Sequence, residues 1–288
     1  MTILVTAATG NIGKEIAKQL VEAGEQPRIY VRDENKAKTL ISDGDYQLAV
    51  GDVTDLAALE SAMEGVDAVY TAVLDAYRED TTYLQNIITA AKKAGTKRIV
   101  LMSAFKVENY PDMPFIQWHN KAESELMASG LDWTILRPDW FMQNFLAYVK
   151  EGQLNLPMGN GKNSFIDTQD IAAVAIAALK DSKHAGKAYA LSGPEAMDHY
   201  QVAETITKVT GRPCVFNNVD PQLVKQGLEA QGYEEWYVNM YLDITSPMRD
   251  GDVRSPQPDL EQVLNRKPVT LAKFIEKNLA HFLDACPE

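Results

Sequence analysis

Cysteine and histidine are scarce in this chain. Its 288 residues include two cysteines and four histidines, and neither type is grouped with the spacing of a metal site. Cys214 and Cys286 stand far apart in the sequence. We expect both to remain reduced thiols, as is usual in the cytosol. The composition therefore predicts neither a disulfide framework nor a metal centre.

Positive charge and long apolar runs are scarce as well. Lys and Arg number 28 against 40 Asp and Glu, which gives a net charge of −12. An acidic protein repels nucleic acids and anionic membranes, so we expect neither as a partner. No apolar run reaches the ~18 residues of a transmembrane helix, and a strand pattern starts too early to leave room for a signal peptide. We therefore expect a cytoplasmic protein.

A glycine turn between a strand and a helix stands at the start of the chain. Residues 3–5 are apolar, Gly10 and Gly13 follow, and an amphipathic helical pattern comes next. This order predicts a dinucleotide-binding fold, because glycine lets the backbone approach a pyrophosphate and the first amides of the helix face the anion. Ala7 replaces the first glycine of the usual spacing, which is compatible with the turn if the φ angle of Ala7 is negative.

Strand and helix patterns alternate through the first half of the chain. Strands are predicted at 3–5, 28–31, 46–50, 67–72, 98–103 and 133–137, and helices at 56–63, 80–94 and 115–129. Strands separated by helices form a parallel sheet with helices on both faces. The predicted fold class is α/β, a Rossmann-type doubly wound parallel sheet. It comprises an NAD(P)-binding domain at 1–150 and a smaller C-terminal α/β substrate lobe at 151–288.

The pattern is looser in the second half. The Gly- and Asn-rich stretch 152–163 is predicted to be a loop, and an apolar helix at about 168–180 is expected to return to the first domain. A strand follows at 188–191 and a helix at 200–210. The charged stretch 243–254 is most simply a solvated connection, and 271–283 reads as one helix. An exposed hydrophobic helix could support a homodimer.

Cofactor ligands are expected where the strands end, because ligands of doubly wound sheets bind there. Arg32 follows the second strand and Lys36 comes one turn later. A cation at this place can stack on adenine or pair with a 2′-phosphate, which favours NADP(H) over NAD(H). The adjacent Asp33 leaves NAD(H) open. The predicted cofactor-binding residues are Thr9, Gly10, Asn11, Ile12, Arg32, Lys36, Asp52, Val53, Ala72, Val73, Leu74, Ser103, Lys121 and Pro138.

The Tyr-x-x-x-Lys pair of short-chain dehydrogenases is missing. In that pair the lysine lowers the pKa of the tyrosine, so that the phenol can exchange a proton with the substrate oxygen. No tyrosine here has a lysine four residues later, and Gln117 stands four residues before Lys121. Lys121 and His119 remain candidate catalytic residues. A solvated lysine and a structural histidine are the simpler alternatives.

Several segments together resemble the NmrA-like group of atypical short-chain dehydrogenases. They are VTAATGNIG at 5–13, the strand end Val31-Arg32, HNKAE at 119–123, GLDWTILRP at 130–138, FMQN at 141–144, DIA at 170–172, GRP at 211–213 and the segment 264–282. The resemblance implies NADP(H) binding through the glycine loop and Arg32, often without a catalytic tyrosine. Some members of that group reduce quinones or dyes, and some are redox-sensing regulators with little or no turnover.

An aromatic and methionine-rich acceptor pocket is expected between the nicotinamide and the C-terminal lobe, although such clusters also form ordinary cores. Its predicted lining is Phe105, Trp140, Phe141, Asn144 and Tyr148 on one side, and Trp236, Met240 and Tyr241 on the other. The leading hypothesis is an NADPH-dependent reductase that passes a hydride to a small electron-poor acceptor, namely a quinone, a dye or an activated alkene or carbonyl. The alternatives are a non-enzymatic NADP(H) sensor that binds a protein partner, and a carbonyl reductase or epimerase with a relocated proton donor.

Overall fold

Seven parallel strands form the central sheet of the structure, a computed structural model that describes residues 1–40, 44–74, 79–105 and 109–287. The strands in these ranges are β1 (Ile3–Val5), β2 (Arg28–Val31), β3 (Gln47–Val50), β4 (Ala68–Ala72), β5 (Arg98–Met102), β6 (Asp132–Pro138), β7 (Val149–Lys150), β8 (Gln153–Leu156), β9 (Lys187–Leu191) and β10 (Val215–Asn218). The central sheet has the order β3-β2-β1-β4-β5-β6-β9. The strand order therefore reverses at β1, which lies between β2 and β4.

Helices connect these strands. They are α1 (Asn11–Glu22), α2 (Glu34–Leu40), α3 (Leu56–Met63), α4 (Thr82–Ala94), α5 (Pro114–Met127), α6 (Phe145–Tyr148), α7 (Thr168–Lys180), α8 (His199–Thr210), α9 (Pro221–Ala230), α10 (Glu235–Arg249), α11 (Asp259–Leu264), α12 (Leu271–Lys277) and α13 (Leu279–Ala285). Several ends follow local chemistry. Asp55 caps α3 by accepting a hydrogen bond from the Ala58 amide, and Gly95 ends α4 in a left-handed conformation.

The two faces of the central sheet carry separate apolar layers. Ile3 and Val5 pack with α1 and α7, whereas Leu4 packs on the opposite face with α3, α4 and α5. This alternation is what the two-residue period of a strand imposes on a sheet covered on both sides. The Rossmann-type doubly wound fold class is thereby confirmed. The helix predicted near 168–180 packs as α7 against α1, and β9 pairs with β6, so the chain returns to this sheet after residue 150.

A smaller lobe lies beyond the central sheet. Its three-stranded sheet has the order β10-β8-β7, with β8 and β10 parallel and β7 and β8 antiparallel. Apolar residues from α6, α8, α12 and α13 form the core of this lobe with that sheet. Among the described residues, no helix is long and apolar enough to span a membrane.

Three expectations for the second half are wrong. The predicted loop at 152–163 contains β8, whose Leu154 and Leu156 alternate into the core of the smaller lobe. The single helix expected at 271–283 is two helices that meet at Asn278, where the side-chain amide donates to the Phe274 carbonyl at 2.8 Å. The stretch 243–254 continues α10 to residue 249, and Arg254 is buried because it pairs with Asp139.

Candidate functional site

A groove of about 400 Å³ runs along the carboxyl ends of the central strands. It is lined by Ala7, Ala8, Thr9, Gly10, Asn11, Ile12, Gly13, Tyr30, Val31, Arg32, Gly51, Val53, Tyr70, Ala72, Val73, Leu74, Met102 and Phe141. Nine predicted cofactor-binding residues are in this set: Thr9, Gly10, Asn11, Ile12, Arg32, Val53, Ala72, Val73 and Leu74. The topology thus brings together residues from four strand ends, as expected at the point where strand order reverses.

The turn from β1 to α1 has the shape needed for a pyrophosphate. Gly10 precedes the first residue of α1, so the unpaired amides of the first helical turn are available to an anion in the groove. A Cβ atom on Gly13 would lie 2.3 Å from the Ala7 carbonyl oxygen, and only glycine avoids this steric clash. The condition under which Ala7 would fit the turn without strain, a negative φ, is not met. The φ of Ala7 is +50°, so this alanine adopts the left-handed conformation, which glycine would adopt without strain.

Of the two charged residues at the end of β2, Arg32 lines the groove and Asp33 does not. Arg32 lines the groove and is exposed. The Asp33 carboxylate accepts a hydrogen bond from the Asn35 amide at 2.9 Å and does not line the groove. This end of the site therefore offers positive charge. The Lys36 side chain lies outside the described part of the structure.

Three other predicted cofactor ligands lie elsewhere. The Asp52 carboxylate accepts hydrogen bonds from the Thr54 amide and hydroxyl at 2.9 and 2.7 Å, so it supports the turn that places Val53 in the groove. Ser103 and Pro138 line the neighbouring cavity instead. The fully buried Ser103 hydroxyl has no hydrogen-bond partner among the described residues. A buried hydroxyl in this state is ready to bind a ligand group.

An aromatic cavity of about 500 Å³ continues from the groove, with which it shares Asn11, Val73, Met102 and Phe141. Seven of the eight predicted acceptor residues line it: Phe105, Trp140, Phe141, Asn144, Tyr148, Met240 and Tyr241. The sequence interpretation missed Ala104, Tyr110, Met113, Phe115, Ile116, Asp139, Tyr237, Ile244 and Arg254. The volume is in the range of small-molecule sites.

Helical spacing explains which residues of α10 reach the cavity. Tyr237, Tyr241 and Ile244 recur at intervals of four and three residues, which puts them on one face. Trp236 is not on that face and does not line the cavity. Its indole nitrogen donates to the Glu234 carboxylate at 2.5 Å. The period of the helix could have assigned Tyr237 in place of Trp236.

Neither candidate proton donor is suited to that task. Lys121 is exposed, lines neither the groove nor the cavity, and donates to the Glu79 carbonyl at 2.6 Å. His119 does line the cavity, but burial lowers its pKa to about 4. Its Nδ1 lies 2.8 Å from the Phe115 carbonyl, which fixes the proton there because a carbonyl only accepts. The neutral ring therefore presents an acceptor, and not an acid, to the rest of the cavity.

A buried ion pair forms one wall of the cavity. An Arg254 guanidinium nitrogen lies 3.3 Å from the Asp139 carboxylate and the guanidinium carbon lies 5.9 Å from the centre of the Phe105 ring. Asp139 also accepts hydrogen bonds from the Trp140 and Ser164 amides at 2.8 and 2.9 Å. Burial raises the pKa of Asp139, and Arg254 and the two amides oppose that shift. The network fixes the segment after α10 against the end of β6.

Comparisons with known proteins identify a matching family and related structures. The profile of the NAD(P)H-binding family matches residues 7–182. The NAD(P)H azoreductase of Xenophilus azovorans is 32% identical over 97% of this chain and 99% of its own length. The NADPH-dependent quinone oxidoreductase of Escherichia coli, solved with NADPH, has a TM-score of 0.83 and 27% identity, covering 97% of this chain and all of its own (100%).

One further solved structure shares the fold. The negative transcriptional regulator NmrA, in complex with NADP, has a TM-score of 0.78 at 16% identity and covers 99% of this chain and 98% of its own. The family match spans more than half of the chain and includes Gly10 and Gly13 of the glycine turn. The chain belongs to the NAD(P)H-binding family.

Proposed function

We propose that this protein is an NADPH-dependent reductase that transfers a hydride to a flat, electron-poor acceptor, most simply a quinone or an azo dye. The observation that carries the proposal is the continuity of the dinucleotide groove with the aromatic cavity. Four residues, Asn11, Val73, Met102 and Phe141, line both spaces. A cofactor in the groove and an acceptor in the cavity would meet at these residues.

The preference for NADPH is supported by the end of β2. Arg32 is exposed toward the groove, where a guanidinium can pair with a 2′-phosphate. Asp33 is occupied with the Asn35 amide, so it is not positioned to bind the ribose 2′-hydroxyl that marks NADH. The related quinone oxidoreductase is known with NADPH bound, which agrees with this assignment.

Positioning accounts for most of the catalysis that we propose. When bound, NADPH supplies the hydride. The cavity walls formed by Phe105, Trp140 and Phe141 hold a flat acceptor and exclude water. Tyr237 and Tyr241 close the opposite side from α10. The relatives named azoreductase and quinone oxidoreductase act on acceptors of this flat, conjugated class, which supports the assignment.

The test is a titration followed by a turnover assay. NADPH and NADH are titrated into the purified protein, and NADPH oxidation is then followed with quinones, azo dyes and cationic triarylmethane dyes. Tight NADPH binding with turnover of at least one class supports the proposal. Tight binding without turnover on any acceptor contradicts it and favours the NADP(H) sensor.

A cavity-filling variant links turnover to the aromatic cavity. Ala104 lines the cavity, and Ala104→Trp should block the acceptor while the NADPH dissociation constant changes little. Ala128→Trp adds the same side chain at an exposed position at the end of α5 and serves as the control. Equal turnover by the two variants would place the acceptor elsewhere.

A further inference from the structure

Four tyrosines line the acceptor cavity, and their hydroxyls are differently engaged. Tyr110 donates to the Asp252 carboxylate at 2.8 Å, so its proton is committed. Tyr148 and Tyr241 interact with one another through their hydroxyls, with Tyr237 close enough to influence both. Tyr148 lies on α6 and Tyr241 on α10, so the two approach from different walls of the cavity.

The two hydroxyls are not equivalent. Their interaction lowers the pKa of Tyr148 and raises that of Tyr241, so it favours the phenolate of Tyr148 over that of Tyr241. Burial outweighs this effect and raises the pKa of Tyr148 to about 12, so the phenol is protonated throughout the neutral range.

The position of Tyr148 is held by its neighbours. Phe145, three residues earlier on α6, is buried and packs edge-to-face on Phe165 with ring centres 4.9 Å apart. The Leu146 carbonyl lies 2.6 Å from the His281 ring on α13. These two contacts hold the short helix α6, and with it the backbone of Tyr148, in place beside the cavity.

We propose that Tyr148, supported by Tyr241, donates the proton that completes the reduction of an oxygen-bearing acceptor such as a quinone. This inference rests on the proposed reductase function. It supplies the acid that the missing Tyr-x-x-x-Lys pair would have provided. The donor comes from the element after β6 rather than from α5, where His119 is neutral and Lys121 is directed at the Glu79 carbonyl.

The proposed step balances as follows. A quinone that accepts a hydride, which the bound cofactor would supply, gains two electrons and one hydrogen and becomes an oxyanion. The O–H bond of Tyr148 breaks while a new O–H bond forms on the acceptor, which becomes the hydroquinone. The Tyr148 phenolate is stabilised by the Tyr241 hydroxyl and regains a proton through Tyr241 from water. The net reaction consumes one NADPH and one proton.

Acceptors that need no proton distinguish this role from a merely structural one. A cationic triarylmethane dye becomes neutral when it accepts a hydride, whereas a quinone becomes an anion. Tyr148→Phe should lower quinone turnover by about 100-fold or more, the usual size of a general-acid contribution. Its effect on dye turnover should be at least tenfold smaller. Tyr241→Phe should show the same selectivity with a smaller loss, and the exposed Tyr200→Phe serves as the control.

A second measurement does not depend on turnover. The anion of 4-nitrophenol imitates the oxyanion, and its absorbance reports its ionisation in the complex with NADP⁺. Donation from Tyr148 should lower the pKa of the bound phenol, and Tyr148→Phe should remove about one unit of that shift.

The outcomes separate the two proposals. A wild-type protein that oxidises no NADPH with any acceptor overturns the reductase function itself. Wild-type turnover with equal quinone and dye losses in Tyr148→Phe overturns the role of Tyr148 alone. An unshifted 4-nitrophenol pKa in the wild-type complex does the same. A selective loss for quinones together with the lost shift supports it.

Discussion

Arg32 and Asp33 are neighbours in the sequence and have different roles in the structure. Arg32 faces the groove, whereas the Asp33 carboxylate binds the Asn35 amide at the start of α2. An acidic residue at the end of the second strand would favour NADH if it faced the ribose. The charge at this end of the groove therefore depends on where each of the two side chains points, and it is the positive charge of Arg32.

Arg32→Ala should weaken NADPH binding selectively. Loss of a charged contact with the 2′-phosphate costs roughly 1–3 kcal/mol, or about 5–150-fold in the NADPH dissociation constant. The NADH constant should change far less, because NADH lacks that phosphate. Isothermal titration of both nucleotides measures the difference, with the exposed and distant Lys208→Ala as the charge control. Equal losses for the two nucleotides would mean that Arg32 stacks on adenine.

His199 is a buried histidine without charge. Its ring packs edge-on against Phe165 with centres 5.4 Å apart and lies 5.3 Å from the ring of Phe216. Its Nδ1 has no hydrogen-bond partner among the described residues. Burial lowers the pKa of His199 to about 4, from the usual value near 6.5. The folded protein therefore resists protonation at this position.

Stability should fall with acid, and His199→Phe should reduce that fall. Between about pH 6.5 and 4 the unfolded chain binds a proton at His199 that the folded chain does not, so the free energy of unfolding decreases as the pH is lowered. The variant should reduce the slope by up to about 1.4 kcal/mol per pH unit. Urea denaturation at several pH values measures this. A slope equal to that of the wild type would show that His199 is solvated.

The turn between β1 and α1 combines one necessary glycine with one strained alanine. A Cβ atom at Gly13 would meet only backbone atoms, the nearest at 2.3 Å, so no side chain can move to relieve the clash. Ala7 carries a φ of +50°. The turn thus needs glycine at position 13, where any side chain would clash with the backbone. Position 7 would also accept glycine, because its φ is positive.

Substitutions at these two positions should have opposite effects. Gly13→Ala should destabilise the protein by roughly 1–3 kcal/mol through overpacking and should weaken NADPH binding. Ala7→Gly should raise the free energy of unfolding by up to about 1 kcal/mol, because it removes left-handed strain. Gly227→Ala, in the open middle of α9, is the control and should stabilise by about 0.5–1 kcal/mol. Urea denaturation and NADPH titration read both effects. Destabilisation by Ala7→Gly would show that the strain is negligible.

Elements with local signals are the ones that the sequence predicts well. The predicted bounds of β2 and α3 agree with the structure residue for residue, because strand period and the Asp55 cap are encoded within a few positions. β8 was missed because it is a four-residue strand in a Gly- and Asn-rich stretch, and its stability comes from tertiary contacts, namely its pairing with β10 and β7. The groove residues were predictable from topology, since they follow the strands. Tyr237 could have been predicted from the period of α10, whereas Arg254 could not, because a tertiary ion pair brings it to the cavity.

At the scale of the whole molecule, Asp139 and Arg254 join two segments that are far apart in the sequence. Asp139 follows β6 of the central sheet, and Arg254 follows α10. The Ser164 hydroxyl donates to the Arg254 carbonyl at 2.6 Å and the Ser164 amide donates to the Asp139 carboxylate. Three segments that are far apart in the sequence therefore meet in one buried polar network. Such networks are costly when one member is removed.

A double-mutant cycle tests how strongly this pair stabilises the folded protein. Asp139→Ala leaves two amides without their acceptor and leaves the buried Arg254 guanidinium with Asp252, at 3.5 Å, in place of two carboxylates. It should cost about 3–5 kcal/mol in the free energy of unfolding. Arg254→Met should cost less, because the Asp139 carboxyl, whose pKa burial already raises, can take up a proton. The double variant should be more stable than the sum of the single losses by at least about 1 kcal/mol. Glu60→Ala, which breaks an exposed pair with Lys93, is the control and should cost less than about 1 kcal/mol.

The pH dependence of Arg254→Met tests whether Asp139 takes up a proton when Arg254 is absent. A carboxyl with a raised pKa in the folded state binds a proton that the unfolded chain releases, so it destabilises the fold at neutral pH and less so in acid. Relative to the wild type at the same pH, Arg254→Met should therefore recover stability as the pH falls from 7 toward 4. Urea denaturation at several pH values measures the recovery. A deficit that stays constant with pH would show that Asp139 remains ionised without Arg254, held by the Trp140 and Ser164 amides alone.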